Sequence, residues 1–199
     1  MSDSDKYFTI KNPSEGIFKD RGSKFISYAF PVTDESNVKD HLQSLKKLHP
    51  SASHFCYAFR INPMNEYWRA NDDGEPSSSA GKPILGQLRS QLLQNILVVV
   101  VRYFGGSLLG VPGLINAYKT AAAEALKAAE KIEKVITMPL AVGVTYEMSG
   151  ELMKWIKEMK LESMSPIQAK MFEVTLMVPS SEVGKIQKII ESKSWIHLV

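Results

Sequence analysis

An α+β fold in two domains is what the sequence predicts, and three observations carry the prediction. Apolar residues recur at helical spacing from Val38 to Leu48 and at strand spacing from Phe55 to Ile61. Near Lys134 an Ala/Lys/Glu helix gives way to strand pattern, which divides the chain into residues 1–134 and 135–199. Beyond that point the order strand, helix, strand, strand, helix, strand is that of a ferredoxin-like βαββαβ domain.

The first domain opens on strand-like pieces at Tyr7–Ile10, Ile17–Lys19 and Lys24–Phe30, set off by Asn12-Pro13 and Arg21-Gly22 turns. From Glu35 to Leu48, the residues Val38, Leu42, Leu45 and Leu48 form one apolar helical stripe. Phe55, Tyr57, Phe59 and Ile61 then alternate with His54, Cys56, Ala58 and Arg60, the pattern of a half-buried strand. Its aromatic residues face the core, and His54, Cys56 and Arg60 fall on a more open face. Asn62-Pro63 and Asn65 lead into a strand at Glu66–Ala70, closing a hairpin. Asn71 to Lys82 is a polar loop, and Pro83 suits the first position of a helix to about Leu93. Ile96–Phe104, apolar on both faces, belongs at the centre of its sheet. A glycine-rich turn follows, then a helix from about Pro112 to Ile132 with a narrow Leu114, Ala117, Ala121, Ala125, Ala128 face.

In the second domain the strands are Met138–Tyr146, Glu162–Lys170, Phe172–Val178 and Ser194–Val199, and the helices Gly150–Lys160 and Ser181–Ser192.

The composition is globular, 44% hydrophobic and 23% charged. The longest apolar run, Ile96–Val101, is far short of the roughly 18 residues of a membrane helix. The acidic, polar start Met1–Tyr7 is no signal peptide. A lone cysteine, Cys56, excludes an intramolecular disulfide framework and suits a reducing compartment, so the protein reads as cytoplasmic. The whole excess of +3 falls within residues 1–134, which leaves room for a nucleic-acid partner where that charge is clustered.

Three features mark a site in the first domain. From Val98 to Tyr118 a buried strand ends in Arg102, opens into Gly105-Gly106, and passes Gly110 and Gly113 into a helix. Cation, glycine amides and helix start together make an anion cradle, or else a tight turn packing helix against sheet. The spacing is neither a Walker motif nor a dinucleotide fingerprint, and no cofactor is predicted. Next, Asp72, Asp73 and Glu75 could hold a hard cation or act as acid and base, but Asp is also a common turn former. Either they or a ligand could meet Arg102 or Lys82. Last, His54 and Cys56 share one face of a strand, a cysteine–histidine pair in pattern. A buried thiol beside a hydrogen-bonded histidine accounts for them better, and no metal site is predicted.

Gly22-Ser23-Lys24-Phe25, His54-x-Cys56, Asp72 to Pro76 with Ala80-Gly81-Lys82-Pro83, and Val98 to Tyr118, in that order, resemble the IMPACT family. The likeness spans about Lys6 to Leu126 and is nearest the short bacterial YigZ-like branch. Gly22 stands where a basic residue is common, and Ser78-Ser79 where Gly-Thr is usual. The resemblance implies a first domain like the second domain of a small-subunit ribosomal protein, a fold shared with domain IV of elongation factor G. It also implies a tail like another domain of that factor. Eukaryotic members regulate translation by binding an activator of a stress-responsive kinase through an extra N-terminal domain. The family brings no established reaction with it.

Three functions follow as expectations. The first is an RNA- or ribosome-associated binding protein in translational control, with Lys82, Arg102, Gly105, Gly106, Gly110, Gly113 and Arg60 at the phosphate site. The second is an enzyme acting on a phosphorylated small molecule, with Asp72, Asp73, Glu75, His54 and Cys56 as candidates. The third is a protein-interaction module that sequesters a translation factor. Binding is favoured over catalysis, and no membrane is involved.

Overall fold

Asn12-Pro13 and Arg21-Gly22 separate the first three strands, β1 (Lys6–Ile10), β2 (Ser14–Asp20) and β3 (Ser23–Pro31). Helix α1 (Glu35–Leu48) begins where the Asp34 carboxylate accepts the Asn37 amide at 2.9 Å. Strands β4 (His54–Ile61) and β5 (Tyr67–Asn71) form an antiparallel hairpin. Then come α2 (Gly81–Ser90), β6 (Ile96–Tyr103), α3 (Gly110–Ala128) and β7 (Lys131–Val135). The computed structural model describes residues 5–164, 167–168 and 171–199. It divides into two units, Tyr7–Lys134, and Val135–Val199 together with Asp5 and Lys6.

The first unit is built on an antiparallel sheet in the order β2-β3-β6-β4-β5, with the β-branched β6 in the middle. Helices cover both faces. On one, Phe25, Cys56, Val98 and Val100 pack against α2 and the alanine face of α3; on the other, Phe59, Val99 and Val101 pack with Val38 and Leu45 of α1. Each large apolar side chain so buried contributes about 1.5–3 kcal/mol. Small residues let α3 come close enough for Ser27 Oγ to donate to the Ala121 carbonyl at 2.6 Å. The more open face expected for β4 is therefore absent. Cys56, Ala58 and Arg60 are buried, because α2 and α3 lie over them.

Two other boundaries differ from expectation. Helix α2 starts ahead of Pro83, at Gly81, because the Asp72 carboxylate caps the Ala80 and Gly81 amides. Helix α3 stops at Ala128, and Lys131–Val135 leave it to pair with β1. The Glu130 carbonyl accepts the Lys11 amide at that departure.

The second unit runs β8 (Thr137–Val144), α4 (Ser149–Glu158), β9 (Glu162–Ser163), β10 (Ile167–Gln168), β11 (Phe172–Pro179), α5 (Val183–Glu191) and β12 (His197–Leu198). Its antiparallel sheet has the order β10-β11-β8-β12, with β9 also on β11. The strand expected over Glu162–Lys170 is two short pieces here; Met164 belongs to neither, and positions 165–166 and 169–170 lie outside the described residues. Val142, Leu176 and Val178 pack on Leu152, Ile156, Ile186 and Ile190. The buried Asp5 belongs to this unit, its carboxylate accepting the Ser180 hydroxyl and the Ser181 amide. Among the described residues no helix is long and apolar enough to cross a membrane.

Beneath α1, His49 is held between two tyrosines, Nε2 2.8 Å from the Tyr28 hydroxyl and Nδ1 2.8 Å from that of Tyr103. The neutral ring satisfies both, one nitrogen donating and the other accepting. Burial, and next the Lys24 cation, push its pKa below the ordinary 6.5. The unfolded chain therefore takes up this proton first as pH falls. Stability from the neutral ring is complete above about pH 6.5 and is lost progressively below it. The buried side of His41 acts in the same sense. Thermal midpoints should thus fall between pH 7.5 and 5.5, and less steeply in His49→Phe; equal slopes would remove His49 from this role.

Candidate functional site

A cation that ends a buried strand needs a partner, since an unpaired buried charge costs several kcal/mol. Arg102, 5% exposed, is such a residue. Its Nη1 donates to Glu75 Oε1 at 2.6 Å, and the Tyr118 hydroxyl donates to the same oxygen at 2.7 Å. The Glu75 side chain is 4% exposed. The guanidinium carbon also lies 5.5 Å from the centre of the Phe25 ring and 5.6 Å from that of Phe104.

Glu75 is delivered by a loop whose other acids hold it in place. Asp72 accepts the amides of Ser78, Ala80 and Gly81 at 2.8–3.0 Å. Asp73 Oδ2 accepts the Phe55 amide at 2.6 Å, fastening the loop to the start of β4. These two carboxylates are thus turn and capping groups. Among the described residues no three His, Cys, Asp or Glu side chains converge as a metal site.

Register places His54 directly opposite Arg102. Its Nδ1–H donates to the Asp73 carbonyl at 2.8 Å, and Nε2 stands 3.9 Å from Glu75 Oε1. Cys56, two residues on, is fully buried and donates its S–H to the Asp72 carbonyl at 3.0 Å. Burial pushes the Cys56 thiol far above its usual range, and likewise the Tyr118 hydroxyl. Cys56 is thus no thiolate, and the histidine beside it in sequence turns to the loop instead.

Above these groups lies a cleft of about 370 Å³, lined by His54, Glu75 and Arg102 and by the apolar Pro76, Phe104, Leu108, Leu109, Val111 and Leu114. Gly105 has a packing reason. A Cβ there would come within 1.9 Å of the Gly22 carbonyl carbon, so the β6–α3 loop sits against the β2–β3 turn. Gly106, at φ +84°, and Gly110, at φ +70°, supply the left-handed turns that aim the loop back into α3.

The Impact N-terminal domain family matches residues 21–126, more than half of the chain and all of the cleft. The chain belongs to the IMPACT family. IMPACT family member YvyE of Bacillus subtilis (strain 168) is 35% identical over 152 residues, 76% of this chain and 70% of that protein. The IMPACT family member in pol 5′ region of Thermus thermophilus is 36% identical over 141 residues, 71% of this chain and 75% of that one. A crystal structure described as a hypothetical protein superposes with a TM-score of 0.78 at 24% identity, covering 98% of this chain and 97% of the other. That last likeness is one of fold.

Of the residues expected at a site, this IMPACT-family cleft gathers His54, Glu75, Arg102 and Gly110. Gly105 and Gly106 shape its loop, and Gly113 sits in the first turn of α3 against Leu109. Arg60 is elsewhere. Paired with Ile96's level of the sheet, it lies at the far end of β4, bound to Glu66 and to the Leu88 and Leu93 carbonyls. Lys82 is exposed on α2 and does not line the cleft. Of the two partners the sequence left open for Arg102, a carboxylate or a ligand, Glu75 meets its charge here. Sequence reasoning missed Phe104, Leu108 and Val111. The available signal was a run of large apolar residues inside a glycine-rich loop.

Breaking the buried pair should be costly. Arg102→Met leaves Glu75 buried without its cation and should lose roughly 3–5 kcal/mol in urea unfolding. Adding Glu75→Gln should return much of that loss; additive losses would mean the two groups do not interact. Cys56 should react slowly with thiol reagents in the native protein, and rapid labelling at neutral pH would contradict its burial.

Proposed function

We propose that this protein acts in translational control by binding a protein partner through the apolar rim of its cleft. One observation carries the reading. Phe104 is 50% exposed, Leu108 83%, Val111 46% and Ile115 39%, all in the loop and first turns of α3 that border the cleft. Single exposed apolar side chains are ordinary, but a cluster of them around a concavity marks a contact surface. The resemblance to the IMPACT family supports translation as the setting. Phosphate at the same place would have to compete with Glu75 for Arg102, which argues against an anion as the main ligand there. Catalysis by Asp72, Asp73 or Cys56 is disfavoured because each already holds a structural hydrogen bond.

A second reading, contact with RNA or the ribosome, is favoured by a different observation. Lys19, Arg21 and Lys24 on the β2–β3 hairpin, and Lys46 and Lys47 in the last turn of α1, lie at the end of the sheet that bears Arg102. No ion pair among the described residues includes them. Phosphate contacts from such a group would weaken steeply with salt.

Photo-crosslinking residues placed at position 108 and at position 47 separate the two. In cells, position 108 should yield a discrete protein adduct of a translation component, and Leu108→Asp should abolish the association without moving the thermal midpoint. RNA adducts from position 47 with no protein adduct from position 108 would replace this reading with the second.

A further inference from the structure

The apolar rim leaves the polar floor of the cleft unexplained. Since a carbonyl only accepts, the hydrogen bond to Asp73 puts a proton on His54 Nδ1, and in the neutral ring Nε2 is then an acceptor. At 3.9 Å from Glu75 Oε1 it has no hydrogen bond there. That oxygen already accepts from Arg102 and Tyr118, and neither of those donors uses Oε2. Arg102 also keeps an unpartnered Nε–H, but that atom is buried, and the His54 side chain is 25% exposed against 4% for Glu75 and 6% for Arg102. The polar group within a ligand's reach is thus an acceptor, and a ligand that suits it brings a donor.

Charge narrows the ligand further. Glu75 and Arg102, paired with each other at 2.6 Å, leave the floor without net charge, so it favours neither an anion nor an ammonium group. A neutral donor fits best. The walls are apolar on several sides, with Phe104 and Leu108 at the mouth and Leu109 and Leu114 deeper, and about 370 Å³ holds a ring system rather than a length of chain. Aromatic side chains with one polar tip, filling a pocket with a polar floor, are the commonest anchors of protein interfaces.

We propose that the cleft receives one aromatic side chain with a single hydrogen-bond donor, a tryptophan or tyrosine of the bound protein, its N–H or O–H directed at His54 Nε2. The inference rests on the protein-binding reading above and names the anchor of that contact.

Small probes of the full chain test it without a known partner. Indole and p-cresol, followed by amide NMR shifts, should bind saturably, with Gly106 and Gly110 among the shifted amides. 1-Methylindole, which has no donor, should bind about tenfold more weakly, the loss expected for one hydrogen bond. His54→Leu should bind the two indoles alike. Equal binding of indole and 1-methylindole to the unaltered protein would overturn the proposal, and needs no variant to fold. So would the failure of any ring to shift the cleft amides, or adenosine binding more tightly than indole, which would make this a base-binding site. The two readings fail separately. Loss of partner adducts in Leu108→Asp, with no binding of indole, keeps the protein-binding function and removes the aromatic anchor. Indole binding without any protein adduct from position 108 does the reverse.

Discussion

The Arg102–Glu75 pair is the constraint on which the upper end of the first unit depends. Strand β6 carries apolar side chains through the centre of the sheet, and the first charge it reaches is still 5% exposed. A carboxylate must come to it, and the loop between β5 and α2 brings one. That loop holds Glu75 in position because Asp72 caps α2 and Asp73 bonds the Phe55 amide at the start of β4. Tyr118, from the alanine face of α3, completes the arrangement with its hydroxyl. One carboxylate oxygen thus ties a strand, a loop and a helix together, and the cleft is the space that their meeting leaves open.

This arrangement also decides what the cleft is suited to meet. A basic strand end opening into glycines looks like a place for phosphate, and the expectation holds only while the cation is free. Once Glu75 neutralises it, the remaining chemistry is an imidazole acceptor surrounded by aliphatic and aromatic carbon. On the proposed reading, one internal bond turns the same residues toward a different class of ligand.

Much of the architecture was legible in the sequence. The α1 stripe and the β4 alternation give those elements end to end, since their periodicity reports a buried face directly. The start of α2 was not, because the group that caps it, Asp72, lies eight and nine residues before the amides it bonds. β7 was hidden by the alanine-rich helix before it; its pairing with β1 joins residues more than a hundred positions apart. The burial of Cys56 and Arg60 could not be read from β4 itself, as it depends on which helices cross that face. At the site the contributing residues were largely identified, but their roles were not. Whether Arg102 meets a ligand or a carboxylate is a question of which loop folds over it, and register sets Arg60 at the other end of β4 from the cleft.

Asp5 has a consequence for the order in which the molecule takes shape. Its partners, Ser180 and Ser181, emerge from the ribosome more than forty residues after Lys134, the last residue of the first unit. The first unit can therefore form while the segment ahead of it is still waiting, and a buried carboxylate made before that unit finds its hydroxyl and amide only after it. Closure of the second unit thus marks that translation has passed Ser181.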